Sequence, residues 1–305
     1  MQPRRLWPLV LTLCVLYTVD WNKPSYTFLC LPTYAHTYGA QDPSIQRPNA
    51  AIVYLADFGH PDRIAELEQS LVLLQRNVLS RFPYRVLVFH DTTPYKLNVH
   101  VPQLELHPIV GFDTIPPYLN ATEVRAVTRF SLGYRFMCRF WAHGFFQQPA
   151  VRNLTYYWRL DTEVYMVKPI AIDPFVYMEE HHLHYMYGST DYEEPYVVVG
   201  LWEAIGTYMR LNHMHPRRLK DYTRADGSYN MWMYYNNFEV SRVDLWRSKA
   251  YDDFFDYIDR TGGILLRRWG DAPIRTLSLA ALFPEARKEQ WRGLCYHHKN
   301  FRLTL

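Results

Sequence analysis

Two apolar runs, residues 49–55 and 85–91, enclose a stretch whose aliphatic side chains recur at helical spacing, and this order constrains the fold more than any other feature of the chain. Ile64, Leu67, Leu71, Leu74 and Val78 fall three or four residues apart, and Pro61-Asp62 marks where that helix starts. Strand, helix, strand in sequence argues for a parallel sheet, with the ligand edge at the strand C-termini. The predicted class is therefore α/β with a mixed, largely parallel central sheet. Residues 104–109 read as a third strand, 130–146 as a helix or helix pair, and 184–189 as a further short strand. Residues 217–229 are polar and basic and read as a loop, and 240–258 carry a helix with Asp244 as its N-cap.

Residues 156–166 run Tyr-Tyr-Trp-Arg-Leu-Asp-Thr-Glu-Val-Tyr-Met. The flanks are those of a buried strand, yet the centre carries Asp161 and Glu163. On an extended segment, residues two apart share a side. Two acids converging there repel each other and resist desolvation unless a cation or base compensates them. A divalent metal carrying a diphosphate is one such cation; a solvated turn is the alternative.

The 305 residues, 49% of them hydrophobic, suffice for one large or two small domains. A net charge of +3 provides no field for nucleic acid, so no nucleic-acid partner is expected. Aromatic residues make up 16%, with 25 Tyr and 9 Trp, a composition that leans toward stacking on sugar faces. Arg4-Arg5 precede an apolar run over residues 6–19, closed by Asp20. That pattern reads as a membrane signal-anchor with its N-terminus cytosolic, a cleaved signal peptide being the competing reading. Two sequons, at Asn120 and Asn153, agree with a lumenal location. Beyond Cys14 in the apolar run, Cys30, Cys138 and Cys295 allow at most one intramolecular bridge and leave one thiol over. No cysteine spacing suits a metal.

Three segments together carry a resemblance: 134–140 (Tyr-Arg-Phe-Met-Cys-Arg-Phe), 157–163, and the long stretch from Asn237-Phe238-Glu239 to Arg268-Trp269-Gly270-Asp271-Ala272-Pro273. Over roughly residues 49–301 the chain resembles glycosyltransferase family 15, the fungal Golgi α-1,2-mannosyltransferases. The resemblance implies a GT-A-type nucleotide-sugar-binding fold, GDP-mannose as donor, Mn²⁺ as cofactor, a mannosylated glycan or glycoprotein as acceptor, and retention of anomeric configuration. With residues 20–48, rich in Pro, Tyr, Ser and Gln, read as a stem, the chain divides into a cytosolic tail and signal-anchor (1–19), a stem (20–48) and a catalytic domain (49–305), the expectation being a single-pass type II protein of the Golgi membrane.

Carried over residue by residue, the resemblance makes Asp161 and His298 the metal ligands, with Glu163 acting beside them or on the ribose. His297 is the neighbour with which His298 could be confused. Glu239 matches a carboxylate that would face the anomeric carbon; buried between Phe238 and Val240, it could instead be held in a salt bridge with Arg242 or Arg247. Tyr134 would lie near the reacting carbon and the acceptor. Arg139 would meet the diphosphate or a neighbouring acid. In the turn at 268–273, Arg268 would bind donor, Trp269 would offer the acceptor a stacking face, and Asp271 would accept hydrogen bonds from a sugar or start a helix as its N-cap. Asp57 and Arg63 are the nearest polar candidates for ribose and base. Rival readings are a GT-A enzyme with another nucleotide-sugar donor and a non-catalytic glycan-binding relative.

Overall fold

In the computed structural model, residues 46–91, 96–291 and 295–298 are described, together with the backbone of a short strand, β1 (Tyr26–Thr27). The further strands are β2 (Ala50–Ala56), β3 (Arg85–His90), β4 (Leu104–Pro108), β5 (Tyr156–Leu160), β6 (Val164–Met166), β7 (Tyr185–Tyr192), β8 (Trp232–Arg242), β9 (Lys288–Gln290) and β10 (Tyr296–His298). The helices are α1 (Pro61–Leu74), α2 (Ala121–Ala126), α3 (Leu132–Ala142), α4 (Pro174–Glu180), α5 (Leu201–Leu211), α6 (Val243–Trp246), α7 (Lys249–Arg260), α8 (Gly263–Arg267) and α9 (Asp271–Leu282).

A seven-stranded sheet runs in the order β4-β3-β2-β5-β8-β7-β9. The pairs β4–β3, β3–β2, β2–β5 and β7–β9 are parallel; β8 is antiparallel to both β5 and β7. The sheet is therefore mixed and mostly parallel, its parallel part as the strand–helix–strand pattern predicted. Its two faces are covered separately, and the strand alternation divides their residues. Ile52, Tyr54, Trp158, Phe238 and Val240 face α1 and α4. Ala51, Val53 and Tyr157 face a thicker layer built from α3, α5 and α7–α9.

The helix expected over 240–258 does not exist as one element. β8 continues to Arg242, α6 is a single turn, and α7 follows with Ser248, not Asp244, as its cap; the Ser248 hydroxyl accepts from the Tyr251 amide. Ser241 and Val240 are ladder partners of β5 and β7, so sheet pairing overrides the local helical pattern there. The strand read at 184–189 extends to Tyr192. Residues 217–222 form a short 3₁₀ helix inside the stretch read as loop.

The acidic pair does not lie on one extended strand. β5 ends at Leu160, and Asp161-Thr162-Glu163 make a turn, closed by the Val164 amide donating to the Asp161 carbonyl at 3.0 Å, before β6 begins. β6 joins a second, three-stranded sheet in the order β1-β10-β6. Tyr26 and Thr27, within the segment read as stem, thus pair with the strand that carries His298. Cys138 is a buried free thiol and Cys295 is disulfide-bonded, consistent with one bridge and one thiol left over. The apolar run at 6–19 and the remainder of the stem up to residue 45 lie outside the described residues. Among the described residues, no helix is long and apolar enough to cross a membrane.

Candidate active site

The turn between β5 and β6 gathers the chemistry. β10 lies antiparallel to β6 with His298 opposite Val164, and the strand alternation buries His298 (1% exposed) while His297 is part exposed. The His298 Nε2 atom comes within 3.8 Å of Glu163 Oε1, and its Nδ1 lies 3.4 Å from the Tyr235 hydroxyl of β8. Strand parity, invisible in a His-His pair read alone, thus singles out His298. Glu163 also lies 3.6 Å from Arg63 of α1 and accepts from the Thr162 hydroxyl at 2.9 Å. Burial lowers the basicity of Arg63, but Glu163 and Glu66 more than offset it and hold the guanidinium charged. Arg63 thus lies at this edge, while Asp57, exposed on the loop after β2, pairs with His60 at 3.1 Å.

The structure brings Glu163 to His298, whereas Asp161, the acid first assigned to the metal beside it, is turned to Arg159. Asp161 Oδ1 accepts from Arg159 Nε at 3.2 Å and Nη2 at 3.0 Å. Arg159 Nη1 donates to Asp271 Oδ2 at 2.5 Å, and Asn236 Nδ2 donates to the same oxygen at 2.8 Å. The Asp161 side chain keeps 29% of its surface exposed, and loss of solvent around the rest pushes its carboxyl up to about 6; Arg159 pulls the other way, while Glu163 and Asp271 add to the rise. Asp271 is not an N-cap. Gly270 holds that position and Asp271 is the first residue of α9, where an acid also suits the helix dipole. Its side chain is 8% exposed, with Oδ2 engaged by Arg159 and Asn236, which leaves a sugar little access to it.

Glu239 lies opposite Arg159 on β8 and is 0% exposed. Both of its oxygens are engaged: Oε1 accepts from the Tyr157 hydroxyl at 2.8 Å and faces Arg275 Nη2 at 3.2 Å, and Oε2 accepts from the Tyr185 hydroxyl at 2.8 Å. The alternative of a buried ion pair is thus realised, with Arg275 of α9 as the partner; Arg242 and Arg247 bond elsewhere, to Asp244 and to the Arg152 carbonyl. Burial drives both phenols far above their ordinary range, and Glu239 adds to it, so they act as donors to the carboxylate.

Tyr134 and Arg268 form a second group. Arg268 takes a left-handed backbone (φ 64°), rare for a side chain with a Cβ. Its guanidinium donates to the Tyr134 hydroxyl at 2.6 Å and to Glu193 at 3.0 Å, and lies 4.9 Å from the Phe130 ring centre. Burial raises the Tyr134 phenol above its usual range. Arg139 does not join either group: it grips Asp259 of α7 with two nitrogens, at 2.9 and 2.7 Å, and covers Phe112. Trp269 is 2% exposed, its Nε1 bonded to the Val199 carbonyl at 2.9 Å and its ring packed over Gly263. Its faces belong to the core, so it offers an acceptor no stacking surface. Asn120 and Asn153 are both on the surface. Asn120 caps α2 through its side chain.

The sequence reading did not assign Arg159, Asn236 or Glu193 a place here. A charged residue at an inward position of a buried strand, as Arg159 is in β5, was the available clue, since burial demands a partner for it.

Comparison with known proteins identifies the family and the fold. Residues 32–303 match the sequence profile of glycosyltransferase family 15, described as glycolipid 2-alpha-mannosyltransferase. This chain belongs to that family. Alpha-1,2 mannosyltransferase KTR1 of Saccharomyces cerevisiae is 31% identical over 183 residues, 59% of this chain and 47% of that protein. Probable mannosyltransferase MNT3 of Candida albicans is 27% identical over 304 residues, 94% of this chain and 79% of that protein. The matched segments span 39–47% of the length of the first four curated relatives. Among solved structures, core-mannan synthase A of Aspergillus fumigatus, in an Mn/GDP form, superposes with a TM-score of 0.75 at 23% identity, over 88% of this chain and 79% of that one. The mannosyltransferase Ktr4p of S. cerevisiae in complex with GDP gives 0.76 at 20%, over 90% and 76%. These likenesses establish the fold.

Proposed function

We propose that this chain is a retaining, Mn²⁺-dependent α-mannosyltransferase of GT-A type. In this reading it moves mannose from GDP-mannose to a hydroxyl of a mannosylated glycan or glycoprotein, forming an α-1,2 linkage. Family membership, the names of its relatives and the Mn/GDP form of one structural neighbour support the reading. The observation that carries it is the approach of Glu163, in the turn that follows β5, to His298 of β10, the strand paired with β6 directly after that turn. A carboxylate oxygen and an imidazole nitrogen 3.8 Å apart are a donor set suited to Mn²⁺. Glu163 and His298 would hold the ion, with Asp161 beside them. When bound, it offsets charge on the departing diphosphate, so no protein acid need protonate the leaving group.

The chain's own residues supply the rest. Tyr235 fixes the His298 ring from behind, so that Nε2 faces the acid. Arg63 places positive charge beside the same edge. Tyr134, held by Arg268, would orient the acceptor hydroxyl. The enclosure of Glu239 favours a front-face transfer over a covalent intermediate on that carboxylate. The acceptor oxygen bonds to the anomeric carbon on the face from which the diphosphate oxygen departs, and the acceptor's proton passes to that oxygen. Arg4-Arg5 with the apolar run, and surface sequons at Asn120 and Asn153, support a type II Golgi membrane protein with a lumenal catalytic domain.

The test is transfer by the purified protein with Mn²⁺, offering GDP-mannose, GDP-fucose and UDP-glucose in parallel with methyl α-mannoside. Transfer from GDP-mannose alone, abolished by chelator, is expected. Turnover of another donor replaces the donor assignment. No turnover of any donor, with glycan binding that survives chelation, makes the chain a glycan-binding module.

A further inference from the structure

Arg159 occupies a place where a buried strand ordinarily carries an apolar side chain. It is 3% exposed, its guanidinium lies 4.2 Å from the Trp141 ring centre, and its neighbours on the same face of the sheet are Tyr157 and Glu239. Its nitrogens are divided between two acids from different elements. Nε and Nη2 hold Asp161 at the end of β5, and Nη1 holds Asp271 at the start of α9. Asn236 of β8 fixes Asp271 from another side. One planar fork therefore ties the acidic turn to a helix terminus and, through Asn236, to the next strand.

We propose that Arg159 is the positioning residue of the metal–diphosphate edge, aiming Asp161 by anchoring it to Asp271, and that Asp271 serves the site through Arg159 rather than by touching the sugar. This rests on the functional reading above. Enclosed by Trp141 and the two acids, Arg159 has little surface left for a diphosphate. Asp161 sits in a turn and is 29% exposed, so without Arg159 its side chain is free to rotate out of the site. Lysine can substitute only in part, because a single ammonium keeps the charge but not the two-sided fork geometry. Asp271, with its acceptor oxygen engaged twice, is the anchor that keeps Arg159 from following Asp161 outward.

The test is a double-mutant cycle on the full chain, read as GDP affinity by calorimetry with and without Mn²⁺ and as Mn²⁺ binding by EPR. Wild type is expected to bind GDP only with Mn²⁺. Asp161→Ala and Arg159→Met should each weaken that binding about 10–100-fold, the range for partners that orient a metal site. The double variant should be no weaker than the weaker single one, because both remove the same interaction. Arg159→Lys should fall between wild type and Arg159→Met. Since Met leaves Asp271 uncompensated, Arg159→Met/Asp271→Asn removes both partners. It should keep wild-type circular dichroism and still bind Mn²⁺·GDP about 10–100-fold more weakly than wild type. Additive losses in the cycle, or wild-type affinity in that variant, overturn the proposal while leaving the functional reading intact. A wild type with no Mn²⁺-dependent GDP binding overturns both.

Discussion

Arg275 and Glu239 form an ion pair sealed in the core, 3.2 Å apart and 1% and 0% exposed. The pair joins α9 to β8, and the hydroxyls of Tyr157 and Tyr185 complete the carboxylate's hydrogen bonding. Burial lowers the basicity of Arg275, but Glu239 and the surrounding tyrosines outweigh it and keep the guanidinium charged.

Removing one member of such a pair leaves the other charged and unpaired. Glu239→Ala should cost roughly 3–5 kcal/mol of folding stability. Urea denaturation followed by tryptophan fluorescence measures it. A loss of activity without that destabilisation would return Glu239 to the reacting sugar.

Glu163→Ala and His298→Ala remove the two groups that approach each other at the β5–β6 turn. Each should lower kcat/KM by about 10²–10³, the cost of losing one preorganised charge-stabilising group. Each should also raise the Mn²⁺ concentration needed for half-maximal rate. His297→Ala, on the opposite side of β10, should do neither. A manganese titration of the initial rate separates the three.

The Asp161 carboxyl, raised to about 6 in the folded protein from an ordinary 3.8, sets a pH dependence. Between those values the folded state holds a proton that the unfolded chain has lost. Its contribution to stability is therefore complete below pH 3.8 and declines as pH rises through about 6. In the metal-free protein, Asp161→Asn should flatten the decline across this window, which melting temperatures in a buffer series will show. Binding of Mn²⁺·GDP needs the ionised carboxylate and should strengthen as pH rises through the same range.

Asn120 has two uses. Its Oδ1 accepts from the Thr122 and Glu123 amides at the start of α2, and it is a sequon asparagine. Asn120→Asp should abolish any glycan there while preserving the cap. Asn120→Ala should also cost roughly 0.5–2 kcal/mol. Mass spectrometry of protein from a secretory host, with thermal denaturation of each variant, checks both halves.

The parallel part of the sheet was legible because a continuous apolar run followed by a 3.6-residue period has few other readings. The helix expected over 240–258 failed because an apolar stretch pairing on both edges of β8 looks locally like a helix face. The resemblance made Trp269 a sugar platform; Gly263, lacking a Cβ, instead lets the ring sink into the core. Arg139 and Glu239 were legible as charges needing partners, but not as to which partners. Asp259 and Arg275 lie 120 and 36 residues away along the chain.

The sequence by itself determined the class of fold, the family, and the segments that supply the acids, the histidine and the tyrosine, since these depend on local pattern and residue type. Only the tertiary structure decided which acid meets His298, which histidine faces inward, and that Arg159 ties Asp161 to Asp271. Those pairings come from strand register and helix placement. A shift of one residue in register turns a strand's side chains to its other face, and no local pattern carries that information.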